Sequence, residues 1–197
     1  MAPLAHQLEQ KWTYADYLTW TDDQRWEIID GEAYAMTPAP LIRHQRISMN
    51  ISSVMAFFFR GKPCIPFYAP TDVVFDDFNV VQPDLIVVCE ESKISEKCIE
   101  GAPDVVIEIL SPSTNLRDRR NKKALYERFG VKEYLIVDPI SETVERFLLV
   151  DGRYGGSEIF NWDEPLTFNL FPELTLNLWE VFEKELPEGQ RRGQTSI

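Results

Sequence analysis

The residue with the clearest chemical potential is Glu108, which lies inside an otherwise apolar run, residues 105–110. Such a run predicts a strand that is buried on both faces. An ionised carboxylate there is costly unless it is paired, protonated or bound to a metal. A second acid, Asp84, begins a similar apolar run that extends to Val88. Two acids on two buried strands therefore predict a site that holds a cation.

Three further acids lie on or beside predicted strands. Asp104 shares the strand of Glu108, but four residues of strand span roughly 13 Å, which is too far to hold one ion. We therefore expect Asp104 at the surface. Glu27 and Glu32 flank the Asp30-Gly31 turn of a predicted hairpin. We favour Glu32 as a third carboxylate, because it stands on the returning strand and heads an apolar set.

A lysine on the following helix can reach these acids. Lys122 lies on the predicted buried face of the helix after the Glu108 strand, with Asp118 one turn before it and Tyr126 one turn after it. A lysine on an apolar stripe usually extends its ammonium group to solvent. This helix begins only a few residues past the strand, so it can fold back and bring Lys122 to the carboxylates. There a lysine would orient a water and stabilise charge at phosphorus.

His44 lies on the apolar face of a helix that the spacing predicts for residues 41–60. It is either a core histidine with a backbone hydrogen bond or a residue that lines the site as a donor or phosphate contact. Basic residues are concentrated just after the Glu108 strand, as Arg117, Arg119, Arg120, Lys122, Lys123 and Arg128. A phosphodiester enzyme needs such a patch beside its acids; the alternative is a solvated helix face.

Composition predicts one globular, cytoplasmic domain. The chain has 197 residues, 44% hydrophobic and 26% charged, which suffices for a sizeable core. No membrane-spanning run or secretory signal is expected. We expect a single domain over residues 1–186 and a polar, disordered tail over 187–197. The net charge of −12 argues against a protein that coats nucleic acid. The three cysteines lack zinc spacing and are expected to be reduced thiols.

The remaining pattern indicates strands with a few helices. We expect a short helix from a Thr13 cap to Trp20 and hairpins around Asp30-Gly31 and Asp151-Gly152. Strands are predicted over residues 67–75, 84–89, 103–110 and 133–138, and helices over 41–60, from after Ser113 to 129, and 177–184. Mixed strands with two long helices indicate one α/β or α+β domain.

Taken jointly, these motifs resemble the PD-(D/E)xK nuclease superfamily and, more narrowly, the Uma2 (DUF820) family of endonucleases. The resemblance is carried by WEIIDGE at 26–32, QPDL at 82–85, EILSPST at 108–114 and EYLIVDP at 133–139. Asp118, Lys122 and Tyr126 at four-residue intervals belong to the same pattern. The resemblance spans residues 12 to 180 and is specific as a set, although each piece alone is weak.

The resemblance implies a restriction-endonuclease-like core, in which a mixed central β-sheet is flanked by α-helices, with additional β-hairpins. It implies Mg²⁺, with Mn²⁺ able to substitute, held by Asp84, Glu108 and the Ile109 carbonyl, with Glu32 as a further acid. It also implies DNA as the substrate and a homodimer as a possible assembly. The superfamily pattern expects a lysine where this chain has Leu110, two residues after Glu108. The matching lysine is then Lys122.

Three hypotheses follow from these residues. The first is a Mg²⁺-dependent DNA endonuclease in which Asp84 and Glu108 bind the metal and Lys122 positions the attacking water. The second is a nuclease-fold protein that binds partners or nucleic acid without cleaving, which the acidic surface and Leu110 favour. The third is that Glu108 and Lys122 form only a buried structural ion pair.

Overall fold

The computed structural model describes residues 10–21, 24–36, 41–111 and 118–186. The helices are α1 (Tyr14–Tyr17), α2 (Ile42–Phe58), α3 (Lys123–Phe129) and α4 (Leu178–Val181), with a 3₁₀ turn at Glu91–Lys93 and a π-helical turn at Asp118–Lys122 that leads into α3. The strands are β1 (Trp26–Ile29), β2 (Glu32–Ala35), β3 (Ile65–Tyr68), β4 (Val73–Asp76), β5 (Asn79–Val81), β6 (Leu85–Val88), β7 (Ile99–Glu100), β8 (Val105–Ile109), β9 (Glu133–Asp138), β10 (Thr143–Val150), β11 (Arg153–Tyr154), β12 (Glu158–Asn161), β13 (Pro165–Thr167) and β14 (Thr175–Asn177).

A mixed sheet forms the centre of the molecule. Its strands follow the order β11-β10-β9-β8-β6-β3, and β12 also pairs with β10. β8 and β9 are parallel, whereas β6 pairs with both β8 and β3 in antiparallel fashion. The two predicted acid-bearing strands are therefore neighbours. β8 is buried along its whole length, as its apolar sequence predicts.

The two faces of the central sheet are covered differently. On one face, α2, α4 and the β13–β14 hairpin pack against alternate residues of β6 and β8, such as Leu85 and Ile107. On the other face, Ile86 and Val106 pack against α3 and a second sheet with the order β2-β1-β5-β4-β7. The predicted fold class, a mixed sheet flanked by helices with additional hairpins, is confirmed. The second sheet covers much of the face that carries Glu108.

Local sequence explains the elements nearest to the acids. Asp30 and Gly31 both have positive φ, at 54° and 84°, which the tight β1–β2 turn requires. The helix α2 buries Ile47, Ile51 and Met55 at helical spacing. Full burial of each such side chain contributes about 1.5–3 kcal/mol, so α2 is fixed on the sheet chiefly by these residues.

The ends of two helices also agree with the capping signals in the sequence. Thr13 caps α1, and its side chain and that of Asp16 form a reciprocal capping box. Gly130 ends α3 in the left-handed conformation, with φ 85°. Residues 112–117, where the sequence predicts a loop and the start of the helix that ends at Phe129, lie outside the described residues, as does the tail from 187.

One predicted strand is wrong in its extent. Residues 67–75 do not form one strand, because the chain leaves β3 at Tyr68 and enters β4 at Val73, in the other sheet. Pro70 lies between them and has no N–H to donate to a ladder. The short strand β5 and the β13–β14 hairpin were not predicted, since three-residue strands give little periodicity.

The expectation for the cysteines is wrong for two of them. Cys64 and Cys89 form a disulfide, and Cys98 is a buried free thiol. The β3–β6 register pairs Ile65 with Val88, so the next position outward places the two cysteines directly opposite each other. Only this strand pairing brings together two cysteines that are 25 residues apart in sequence.

None of the helices in the described part of the chain is long and apolar enough to cross a membrane.

Candidate functional site

A buried carboxylate–ammonium contact lies where the end of β8 meets the start of the α3 helix. Lys122 Nζ is 3.0 Å from Glu108 Oε1, and both side chains are 4% exposed. The Tyr126 hydroxyl donates to the same oxygen at 2.5 Å. The predicted fold-back of the helix is thus confirmed. The two donors come from successive turns of one helix face and fix Glu108 Oε1 from one side.

The third carboxylate is Glu27 rather than Glu32. Lys122 Nζ is 2.8 Å from Glu27 Oε1, and the Glu27 side chain is 2% exposed. Glu32 is exposed and accepts a hydrogen bond from the Tyr34 hydroxyl at 2.6 Å. These contacts do not support the preference for Glu32, which begins its strand beside the hairpin turn. Glu27 sits inside an apolar strand, and that same signal had identified Glu108.

Asp84 lies beside Glu108 across two antiparallel strands. The β6–β8 register pairs Leu85 with Ile107, so its extension by one residue places Asp84 opposite Glu108. The Ile109 N–H donates to Asp84 Oδ2 at 2.7 Å. Asp84 remains partly accessible, with 20% of its side chain exposed. The predicted pairing of the two acids agrees with this register.

His44 contacts the same carboxylate from the other face of the sheet. Its Nε2 atom is 3.3 Å from Asp84 Oδ2, and its side chain is 12% exposed. His44 stands in the first turn of α2, whereas Glu108 faces α3 and the second sheet. Asp84 therefore lies at the end of the sheet where both faces meet. Contact with Asp84 agrees with the site-lining alternative for His44, and its role there stays a prediction.

The Ile109 carbonyl can act as a further oxygen ligand. A second step outward in the β6–β8 register places Ile109 opposite Pro83. Proline has no N–H, so Pro83 cannot use this carbonyl in the sheet ladder. Asp84, Glu108 and Ile109 thus offer hard oxygen donors of the kind that Mg²⁺ prefers. Within the described ranges, no three His, Cys, Asp or Glu side chains are grouped as a metal site. A magnesium ion here would need waters or phosphate oxygens as additional ligands, which is its usual habit.

Two buried carboxylates of this cluster meet at one ammonium group. Glu27 and Glu108 are both buried, while Lys122 is the cation that contacts both of them. Burial, and then the charge of Glu108, raise the pKa of the Tyr126 phenol well above its usual value, so Tyr126 stays a hydrogen-bond donor. Asp84 adds a further carboxylate. A cation that binds near Asp84 and Glu108 would interact favourably with their carboxylates.

The predicted basic patch is largely neutralised by acids. Arg119 pairs with Glu145 at 2.5 Å, and Arg128 pairs with Asp30 at 2.8 Å. Lys123 Nζ lies 4.0 Å from the centre of the Phe147 ring. Arg120 is exposed, whereas Arg117 lies outside the described residues. Asp118 belongs to the π-helical turn, but its side chain also lies outside the described part.

Asp104 was expected at the surface, and this is wrong. It is 8% exposed, accepts a hydrogen bond from the Cys89 N–H at 2.8 Å and pairs with Lys132 at 2.6 Å. Through Cys89 and Lys132, Asp104 connects the start of β8 to the end of β6 and to the segment before β9. Asp104 is therefore a structural acid, remote from Glu108 along the strand.

Comparison with known proteins agrees with this architecture. The Uma2 family model, described as "putative restriction endonuclease", matches residues 14–178. A solved structure from Anabaena variabilis, described as a putative nuclease belonging to DUF820, superposes with a TM-score of 0.72 at 24% identity. The match covers 87% of this chain and 97% of that one. An uncharacterized protein of Synechocystis sp., slr1290, is 29% identical over 136 residues, 67% of this chain and 71% of its own.

The fold and the acid cluster define a restriction-endonuclease-like protein with its candidate site at the end of the central sheet. The family match covers most of the chain, so the protein belongs to the Uma2 family. That membership supports a nuclease function and a nucleic acid as the substrate.

Proposed function

We propose that this protein is a Mg²⁺-dependent DNA endonuclease, with Mn²⁺ able to substitute, that hydrolyses phosphodiester bonds with a metal-activated water. The observation that carries the proposal is the buried Glu108, held by Lys122 and Tyr126 and placed opposite Asp84. A carboxylate inside an apolar strand is costly unless it is paired, protonated or bound to a metal. Family membership supplies the class of reaction.

Asp84, Glu108 and the Ile109 carbonyl would hold the ion. Bound there, Mg²⁺ would lower the pKa of a coordinated water and neutralise charge on the phosphate. Lys122, fixed between two carboxylates, presents its ammonium group beside the attacked phosphorus, where it orients the water and offsets developing charge. Tyr126 keeps the Glu108 carboxylate in one orientation. His44, next to Asp84, is placed to donate to a phosphate oxygen.

The test is cleavage of plasmid and linear DNA by purified protein in Mg²⁺, Mn²⁺ or EDTA. We expect metal-dependent cleavage that Glu108→Ala and Asp84→Asn each lower by about 10²–10³-fold or more. Glu133→Gln is the matched control, because Glu133 is buried on the same sheet but contacts Arg146 rather than the cluster. Absence of cleavage with every metal and DNA form, together with a silent Glu108→Ala, would refute the proposal.

A second candidate function is a nuclease-fold module that binds nucleic acid or protein without cleaving. It is favoured by the buried Leu110, which occupies the position where the superfamily pattern has its lysine. It is also favoured by the pairing of surface arginines such as Arg119 with acids. Calorimetry with Mg²⁺ separates the two: heat of binding at millimolar Mg²⁺ that Asp84→Asn abolishes supports the enzyme, and no binding supports the module.

A further inference from the structure

Glu27 occupies a position that joins three parts of the candidate site. Its Oε1 atom is 2.8 Å from Lys122 Nζ and accepts the Gln82 N–H at 3.1 Å. Gln82 precedes Asp84 by two residues. Glu27 Oε1, on the second sheet, therefore contacts both Lys122 and the backbone of Gln82, which leads to the candidate metal ligand Asp84.

The lysine needs such a contact to hold one place. Its ammonium group is carried on a flexible four-carbon stem with costly rotamer freedom, unlike the rigid fork of an arginine. The contact with Glu108 holds the ammonium group from one direction, and the contact with Glu27 holds it from a second. Glu27 and Glu108 approach the same Nζ atom at 2.8 and 3.0 Å, and the side chain is 4% exposed. Two acids from different sheets thus fix the ammonium group in space.

The segment before Asp84 is held by the same network. The Gln82 side chain donates to Asp72 at 2.8 Å, and its backbone N–H donates to Glu27. Gln82 is 7% exposed. Displacement of Glu27 would therefore release both Lys122 and the chain that positions Asp84.

We propose that Glu27 is a positioning residue for Lys122: it holds the ammonium group against Glu108 and ties it to the segment that carries Asp84. This inference rests on the proposed nuclease function, in which Lys122 acts on the phosphate. In this role Glu27 acts through Lys122 and the Gln82 backbone and needs no contact with the ion or the substrate.

The experiment is a double-mutant cycle on the full-length protein with Glu27→Ala, Lys122→Met and the double variant, with kcat corrected for the folded fraction. We expect Glu27→Ala to lower kcat by about 10²-fold, the usual cost of a misplaced catalytic group, while KM changes little. In the Lys122→Met background the same change should cost less than about 3-fold, because its main target is already gone. Glu27→Gln should recover part of the loss, since its amide oxygen still accepts from Lys122 and from Gln82.

Glu133→Ala is the matched control, because it also removes a buried, ion-paired glutamate. It should lower stability and leave the corrected kcat unchanged. Equal losses for Glu27→Ala in both backgrounds, or no change in corrected kcat, would overturn the positioning role while the nuclease function stands. Glu27→Gln covers the case in which Glu27→Ala does not fold.

A measurement without DNA separates this inference from the proposed function. The ¹⁵N-labelled Lys122 ammonium group, assigned by its loss in Lys122→Met, should give a protected NMR signal in the wild type and in Glu133→Ala. The signal should vanish or broaden strongly in Glu27→Ala, and it should be partly retained in Glu27→Gln. A signal that persists unchanged, or none in the wild type, would refute the positioning role even if no cleavage is found.

Discussion

Two buried glutamates of this protein differ in the kind of partner that holds their carboxylates. Glu133, at the start of β9, is 0% exposed and accepts backbone N–H groups from Asn169 and Leu170 at 3.0–3.1 Å, with Arg146 3.6 Å away. Glu108, on neighbouring β8, shares one lysine with a second buried glutamate. The carboxylate of Glu133 is held by these N–H groups and by Arg146, so it ties the loop at Asn169 and Leu170 to the sheet. Glu108 belongs to a group in which two buried carboxylates contact one lysine.

The difference teaches how a structural acid is told from a candidate functional one. Both acids are buried in strands, and burial alone does not separate them. The kind of partner does: Glu133 is held chiefly by backbone amides, whose positions the fold fixes. Glu108 is met by side chains, Lys122 and Tyr126, and has Asp84 across the strand pair.

The largest expected effect is on stability, where the loss of Lys122 should cost more than the loss of Arg146. Lys122→Met should lower the free energy of unfolding by about 3–5 kcal/mol, because it removes the cation that contacts two buried carboxylates. Arg146→Met should cost about 1–3 kcal/mol, since the backbone amides still satisfy Glu133. Urea unfolding of both variants at neutral pH measures the difference. Equal losses would mean that the two regions are the same kind of ion pair.

A divalent cation should act on one region only. At ten times its Kd, Mg²⁺ or Mn²⁺ should stabilise the wild type by about 1.4 kcal/mol, raising Tm by about 3–6 °C. Glu133→Gln should keep this shift and Glu108→Ala should lose it.

The same assay addresses the structural-pair hypothesis. Joint replacement of Glu27, Glu108 and Lys122 by Met or Leu should leave the protein folded, because well-packed apolar residues commonly replace buried ion pairs without loss. That variant should show no response to the metal. A wild type that is equally silent would favour a purely structural ion pair.

The smallest expected effect concerns pH. Burial raises the pKa of the Glu133 carboxyl above its usual value, against the opposing effect of the Asn169 and Leu170 amides. A carboxyl with a raised folded-state pKa contributes stability below its unfolded pKa, and that contribution is lost as the pH rises through the folded pKa. The difference in unfolding free energy between Glu133→Gln and wild type should therefore shift in favour of the variant as the pH rises above the ordinary glutamate range. A pH-independent difference would contradict this, and unfolding titrations from acid to neutral pH would show it.

Sequence patterns predicted the parts of the fold that depend on near neighbours. The Asp30-Gly31 hairpin, α2 with its buried stripe, and strand β8 with Glu108 each follow from turn chemistry or periodicity over a few residues. Strand β9 was predicted within the bounds that the structure has. The split of residues 67–75 between two sheets was missed, because strand propensity does not say which sheet a residue joins.

For the candidate site, the sequence predicted that Lys122 reaches Asp84 and Glu108, and it offered Tyr126 and His44 as supporting candidates. The structure places Lys122 and Tyr126 against Glu108, and His44 against Asp84. The sequence ranked Glu32 above Glu27, and the structure reverses that order. Both acids lie in one hairpin, so only the packing of that hairpin against α3 selects the acid that meets Lys122.

By itself, the sequence determined that this protein has a buried acid in a central strand and a lysine on the buried face of the next helix. Both facts follow from the local alternation of apolar and polar residues, which short-range geometry translates directly into faces and spacings. Tertiary structure decided which partners these residues meet: Glu27 for Lys122, Cys89 for Cys64 and Lys132 for Asp104. Those contacts join residues distant in sequence, and their distances depend on how whole sheets and helices pack.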